Sequence, residues 1–265
     1  MRTGLHAIAE SFEREKTMKV KRRLAGFALL AGALAATGTQ AQSGPRVLVL
    51  VTSANHFASG RPTGMWLEEF ATPYQALVNG GAKVTVVSPL GGEVPVDPHS
   101  SGKPEEQALL KTLEPVLKHA VKLTDQIHAS DYDAIFIPGG HGPLYDLATD
   151  PQVAQLISEF ARTQKPVASV CHGPAALVGV TLADGTPFVK GKKLTSFSDV
   201  EEKTAGLSDQ VPFSVQQKLT ALGGLYSQGA NFAPYALVDG NLITGQNPAS
   251  SQRVAELLLQ ILKKK

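Results

Sequence analysis

The chain of 265 residues carries one cysteine, Cys171, in the segment Pro166-Val-Ala-Ser-Val-Cys-His-Gly-Pro-Ala-Ala-Leu177. An apolar, β-branched run leads directly into it. His172, Gly173 and Pro174 follow, and then small helix-forming residues. Proline suits the first turn of a helix, where its missing N–H costs nothing, and glycine permits a tight turn or close packing. The pattern reads as a nucleophile elbow, a strand and a sharp turn followed by a helix, which lifts the thiol out at the carboxyl end of a sheet. The chemistry would be thiolate attack on a carbonyl carbon, with free backbone N–H groups holding the oxyanion. A helix N-terminus at the sulfur predicts a lowered thiol pKa. The competing reading is a buried structural cysteine, and the strand-Cys-His-Gly-Pro setting favours the reactive one. With a single thiol there is no disulfide within the chain and no Cys-based zinc site.

A thiol nucleophile needs a base and an acid to orient it. His172 adjoins Cys171, although neighbours in sequence need not touch through their side chains. Acids cluster in Ser196-Phe-Ser-Asp-Val-Glu-Glu202, and spacing leaves Asp199, Glu201 and Glu202 all open. A second source is residues 65–74 (MWLEEFATPY). At 100° per residue the apolar positions 66, 67, 70, 71, 74, 77 and 78 form one stripe, and Glu68 and Glu69 fall about 130° to either side of its centre. Periodicity cannot choose between them. Gly139-Gly140-His141-Gly142 follows another apolar run, and its glycines would let the backbone approach a substrate or make a tight turn. His56, His99, His119 and His128 show no metal-ligand spacing, so no metal site is expected.

The elements that must position these residues alternate along the chain. Residues 46–52, 82–88, 133–138 and 166–170 read as strands buried on both faces. Residues 63–79, 104–118 and 150–163 read as helices, and 250–262 as a closing helix. Residues 193–197 look like a later strand. Residues 235–238 and 242–244 form a hairpin around Asp239-Gly240-Asn241. Alternating strands and helices predict an α/β, flavodoxin-like three-layer sandwich with a mostly parallel central sheet. Nothing resembling a linker divides residues 42–265, which are expected to form a single domain. Residues 91–130 are more polar and read as an insertion that could shape a pocket.

The formal charge of +2 is unevenly placed. Met18 is followed by Lys19, Lys21, Arg22 and Arg23, an uncharged run over residues 24–36, and Thr39-Gln40-Ala41. This is the layout of a secretory signal peptide, with Met18 as the start and cleavage after Ala41. Without residues 1–41, which hold seven Lys/Arg and three Asp/Glu, 18 basic and 20 acidic residues remain. A slightly acidic mature chain removes support for nucleic-acid binding. The expected location is periplasmic or secreted, with no membrane contact after cleavage.

Val170-Cys171-His172-Gly173-Pro174, together with Pro138-Gly139-Gly140-His141-Gly142, resembles the ThiJ/PfpI superfamily, relatives of class I glutamine amidotransferase domains. Thr63-Gly64 through Pro73-Tyr74, Ser88-Pro89 with Gly91-Gly92, and the run from Thr244 to Ser250 are similar to its glyoxalase III and heat-shock chaperone branch. The resemblance spans residues 46–262. It implies a catalytic Cys171, with His172 as its base and Glu202, 31 residues on, as the triad acid. Glu69 would be the protonatable glutamate beside the thiol. Gly140 and His172 N–H groups would be the oxyanion donors, with Gly139 and His141 lining the substrate site. It further implies a cofactor-independent enzyme that turns methylglyoxal, or a related small carbonyl substrate, into a 2-hydroxy acid such as D-lactate. A homodimer is implied as well, on no assigned surface. A holdase chaperone or protein deglycase is the alternative within the branch, and a cysteine peptidase or amidase is the third reading. True glutamine amidotransferases are disfavoured, because their nucleophile sits in Gly-x-Cys-x-Gly and their later His-x-Glu pair is absent here.

Overall fold

A computed structural model describes residues 44–264. The expected leader, its Met18 start and its Ala41 cleavage site lie outside the described residues. The seven-stranded sheet takes β1 (Arg46–Leu50), β2 (Lys83–Ser88), β3 (Val121–Lys122), β4 (Ala134–Ile137), β5 (Val167–Val170), β8 (Ala236–Asp239) and β9 (Leu242–Gly245). Their order is β3-β2-β1-β4-β5-β9-β8, all parallel except the β8–β9 hairpin. Two two-residue strands, β6 (Lys193–Leu194) and β7 (Leu225–Tyr226), pair parallel to each other as a separate small sheet. The helices are α1 (Leu67–Asn79), α2 (Pro104–Leu117), α3 (Pro151–Arg162), α4 (Asp199–Thr204), α5 (Val215–Ala221) and α6 (Ser251–Leu262).

Period-two alternation divides the core between the two faces. Leu48, Leu50, Ile135 and Ile137 face the α3 side with Ile157 and Phe160. Val47, Val49, Phe136 and Val170 face the other way, with Phe70 of α1 and Leu258 of α6. The central strands β1, β4, β5 and β9 are thus covered on both sides, which is why they read as continuous apolar runs rather than alternating ones. The strand order reverses between β1 and β4. Ligands of open α/β sheets bind at the carboxyl ends around such a switch point, and the loops after β4 and β5 carry Gly139 to His141 and Cys171.

Three expected elements change here. The helix anticipated from residue 63 begins only at Leu67, because the preceding residues stay extended. Met65 bridges Val96 in parallel, and Trp66 N–H donates to Gly139 C=O at 3.1 Å. The strand anticipated over residues 193–197 shrinks to β6. Thr195 N–H turns to Thr244 Oγ1 (2.9 Å) and Phe197 N–H to the Cys171 carbonyl (2.9 Å), so this stretch braces the elbow instead of extending a sheet. The segment after the elbow is a five-residue 3-10 turn, Gly173–Leu177, rather than an α-helix.

Candidate active site

Cys171 sits directly after β5 in the left-handed region, at φ +59°. A non-glycine residue there costs about 1–2 kcal/mol, so its surroundings must impose it. Cys171 N–H donates to Gly245 C=O on β9 (2.9 Å), and its own carbonyl accepts Phe197 N–H. Gly173 allows the turn to close, since a Cβ there would lie 2.4 Å from the Ile137 carbonyl oxygen. One result of the turn is that adjacent side chains meet: His172 Nδ1 stands 3.3 Å from Cys171 Sγ.

The expectation of an exposed, low-pKa thiol is overturned. Only 4% of Cys171 is exposed. Burial, followed by the negative charge of Glu69, pushes the thiol well above its usual value. The 3-10 turn is too short to supply a helix dipole that would offset this. Gly140 N–H acts in the opposite sense, favouring the thiolate. Neither Gly140 N–H nor His172 N–H donates to another backbone carbonyl among the described residues, so both can turn to an oxyanion, Gly140 N–H from its place beside the thiol and the Glu69 carboxyl.

On one side of the thiol lies a paired-histidine arrangement. His172 Nε2 is 2.6 Å from Glu202 Oε2, and His141 Nε2 is 2.9 Å from Glu202 Oε1. With each Nε2–H donating, His172 Nδ1 presents its lone pair to the thiol. Two such hydrogen bonds hold the Glu202 carboxyl well below the usual range despite its burial. Burial and the neighbouring His141 keep the His172 pKa low, opposed by Glu202. His141 Nδ1 is buried and has no hydrogen-bond partner among the described residues. The donor atoms of His141, His172 and Glu202 lie within 4.8 Å of one another, as metal ligands would. Both Glu202 oxygens are already matched to imidazole N–H groups, however, which is the pattern of a proton-linked network.

Glu69 stands on the other side, on α1. It is fully buried, whereas Glu68 is exposed. Its Oε2 accepts Gly139 N–H at 2.8 Å, while Oε1 has no hydrogen-bond partner among the described residues. Burial raises its pKa to about 8, against the smaller opposing effects of Cys171 and the Gly139 N–H. Gly139 has to be glycine: a Cβ there would sit 2.6 Å from Glu69 Oε2 and 2.7 Å from His172 N. Gly140, at φ +84°, packs against the Gly64 carbonyl, where a Cβ would come within 2.3 Å.

The three acids left open by spacing separate cleanly. Ser198 caps α4, accepting Glu201 N–H (3.1 Å) while the Glu201 carboxylate accepts Ser198 N–H (3.0 Å). Neighbouring positions on a helix point about 100° apart, so Glu202 reaches the histidines and Glu201 does not. Glu201 Oε1 instead accepts Asn247 Nδ2 (2.8 Å) and Phe232 N–H (2.7 Å). Asp199 accepts from Ser214 Oγ and Gln217 Nε2.

These groups open into a cavity of about 270 Å³. Its wall includes an arc of rings: Phe57, His141, His172, Phe197 and Phe232, with centroid spacings of 5.2, 4.1, 4.6 and 6.2 Å. Sequence reasoning missed Phe57, Phe232, Arg61, Asp97 and His99, all on this wall. Asp97 and His99 come from the polar segment at 91–130, whose composition was the one available hint. Phe232 gave no signal, although its backbone is left-handed at φ +58° and is tied down by Glu201.

Comparison with known proteins agrees with this architecture. The chain is 29% identical over 233 residues to the glutathione-independent glyoxalase HSP31 of Saccharomyces cerevisiae, covering 82% of this chain and 98% of that one. Rapid Encystment Protein 24 KDa of Francisella tularensis superposes with a TM-score of 0.78 at 32% identity, over 82% of this chain and 99% of the other. Glyoxalase III of Candida albicans does so with a TM-score of 0.74 at 26% identity, over 82% and 96%. The pattern of the DJ-1/PfpI family, described by that name, matches residues 62–263, and the chain belongs to the DJ-1/PfpI family.

Proposed function

We propose that the protein is a cofactor-independent glyoxalase that isomerises and hydrates 2-oxoaldehydes such as methylglyoxal to 2-hydroxy acids, with Cys171 as nucleophile. The observation that carries this reading is the single buried thiol held between a hydrogen-bonded imidazole and a carboxyl group whose pKa is about 8. A pair that shares one proton can supply both a nucleophile and a proton carrier. The glyoxalase relatives support the same reading.

The reactive form is the Cys171 thiolate beside neutral Glu69. Sulfur bonds to the aldehyde carbon C1, the C1–O π bond breaks, and the oxyanion forms against the Gly140 and His172 N–H groups. Glu69 gives this oxygen its proton, leaving a hemithioacetal and a carboxylate. The carboxylate then takes the C1 hydrogen and returns it to C2 through an enediol. His172 carries the hydroxyl proton from the C1 oxygen to the C2 oxygen, with its transient charge balanced by Glu202. The product is a thioester of the 2-hydroxy acid. Water adds to C1, the C–S bond breaks, and the acid leaves with the thiol restored. No electrons are exchanged with a cofactor, and the sum is 2-oxoaldehyde plus water giving 2-hydroxy acid.

A cavity of about 270 Å³ above a thiol only 4% exposed suits a small carbonyl compound better than a peptide chain, which weighs against the peptidase reading. The test is turnover of methylglyoxal to lactate by the protein, beside C171A. Loss of all measurable turnover in C171A is expected. Full activity in C171A, or none in the unmodified protein, overturns the proposal.

A further inference from the structure

Among the described residues Arg61 is the one Lys or Arg on the wall of the cavity that holds the thiol, and the mechanism above gives it no work. It is held in place by a chain of hydrogen bonds. Buried Asp97 accepts Thr63 Oγ1–H through Oδ2 (2.8 Å), and through Oδ1 it accepts His99 N–H (2.9 Å) and His99 Nδ1–H (3.1 Å). That fixes the His99 tautomer and leaves Nε2 to accept from Arg61 Nη2 at 3.1 Å. The Arg61 Cζ stands 6.0 Å from the Phe57 ring centroid, a second support. Among the described residues no carboxylate lies within ion-pair distance of Arg61. One of its five N–H donors is spent on His99, and the rest of the planar fork has no partner among the described residues.

The other charges of the cavity make this cation meaningful. Glu202 is matched by two imidazoles, and Asp97 is saturated by Thr63 and His99. Glu69 is neutral in the reactive form. A thiolate attacking a substrate that itself carries a negative charge would meet repulsion in this apolar pocket unless a cation offset it. A guanidinium fork matches the planar geometry of a carboxylate. We infer that Arg61, positioned by His99 and Asp97, forms a carboxylate subsite, and that the preferred substrates are 2-oxoaldehydes bearing a carboxylate on the chain beyond the ketone. This rests on the proposed glyoxalase reading, whose product would then be a hydroxy dicarboxylic acid.

The experiment compares kcat/KM for 4,5-dioxopentanoate with that for 2-oxopentanal, a neutral dicarbonyl of equal carbon count, in the unmodified protein and in R61Q. The anion-to-neutral ratio is expected to fall by about tenfold or more in R61Q. It is also expected to fall with added salt in the unmodified protein. A second readout does not depend on turnover. Cys171 is the only thiol, so the ratio of its alkylation rates by iodoacetate and iodoacetamide, each displacing iodide, reports the subsite directly and is expected to fall in R61Q. Turnover of both aldehydes with both ratios within about twofold of the unmodified protein overturns the inference alone. No turnover by the unmodified protein, with an alkylation ratio that still drops in R61Q, overturns the glyoxalase reading and leaves the carboxylate subsite standing.

Discussion

Two glutamates serve one thiol, Glu69 from the cavity wall and Glu202 through His172, and they are in opposite states. Glu202 accepts from two imidazole N–H groups and stays ionised. Glu69 is fully buried, accepts one backbone N–H, leaves an oxygen unpartnered and keeps its proton to about pH 8. The same functional group becomes a fixed charge in one place and a proton donor in the other. The difference lies in the number of donors that meet each carboxylate after it has left water. A carboxylate satisfied on both oxygens can orient a base for many cycles, whereas one left half-satisfied is poised to exchange a proton.

The largest effect should come from the half-satisfied side. E69Q keeps the shape and the Gly139 contact but cannot carry a proton, so kcat for methylglyoxal is expected to fall about 10²–10⁴-fold, read by steady-state kinetics. A drop below about tenfold would show that Glu69 is not the proton carrier.

E202Q should cost less, about 10–10²-fold in kcat/KM, as a fraction of the full acid–base contribution. Its amide must turn one N–H toward an imidazole, which disturbs the tautomer of His141 or His172. The accompanying loss of stability is about 1–3 kcal/mol, measurable by denaturant unfolding.

The two carboxyls should also respond oppositely to pH. Glu69 has a folded-state pKa raised to about 8, so its contribution to stability is fully present below its ordinary value and is lost as pH rises through about 8. Glu202 is depressed, so its contribution is present above the ordinary carboxylate range and is lost as pH falls. E69Q is therefore expected to raise Tm by an increment that grows between about pH 5 and pH 8, at about 2–4 °C per kcal/mol. An increment independent of pH would contradict the raised pKa.

The smallest effect is kinetic. The first proton of the Glu69–Cys171 pair leaves at about pH 8, and the thiolate with neutral carboxyl is a tautomer of that monoanion. Alkylation of Cys171 by iodoacetamide should thus show an inflection near pH 8 that disappears in E69Q. An unchanged inflection would assign it to another group.

The central sheet was legible because strands buried on both faces leave continuous apolar runs, as residues 46–50 and 134–137 do. The elbow was legible because a strand ending in Cys-His-Gly-Pro has few ways to continue. Less was legible where distant segments compete for the same backbone. Residues 63–66 have helical spacing but pair instead with residues 95–97 and with Gly139. Residues 195–197 have strand character but brace Cys171 and Thr244. Choosing Glu69 over Glu68 needed more than periodicity, since both flank the apolar stripe at equal angles. The contact between Arg61 and His99 carried no signal, because 38 positions separate them along the chain.

What the amino-acid sequence determined by itself is local: which runs become strands, where the only thiol stands, and which turn carries it. Those properties follow from side-chain period and turn chemistry within a few residues. The charge states were decided only by tertiary structure. Whether the thiol is exposed and acidic or buried and reluctant depends on Glu69 and the other groups lining its cavity, which come from elements between residues 57 and 232. Ionisation responds to everything within a few ångströms in space, and no spacing rule along a chain encodes that.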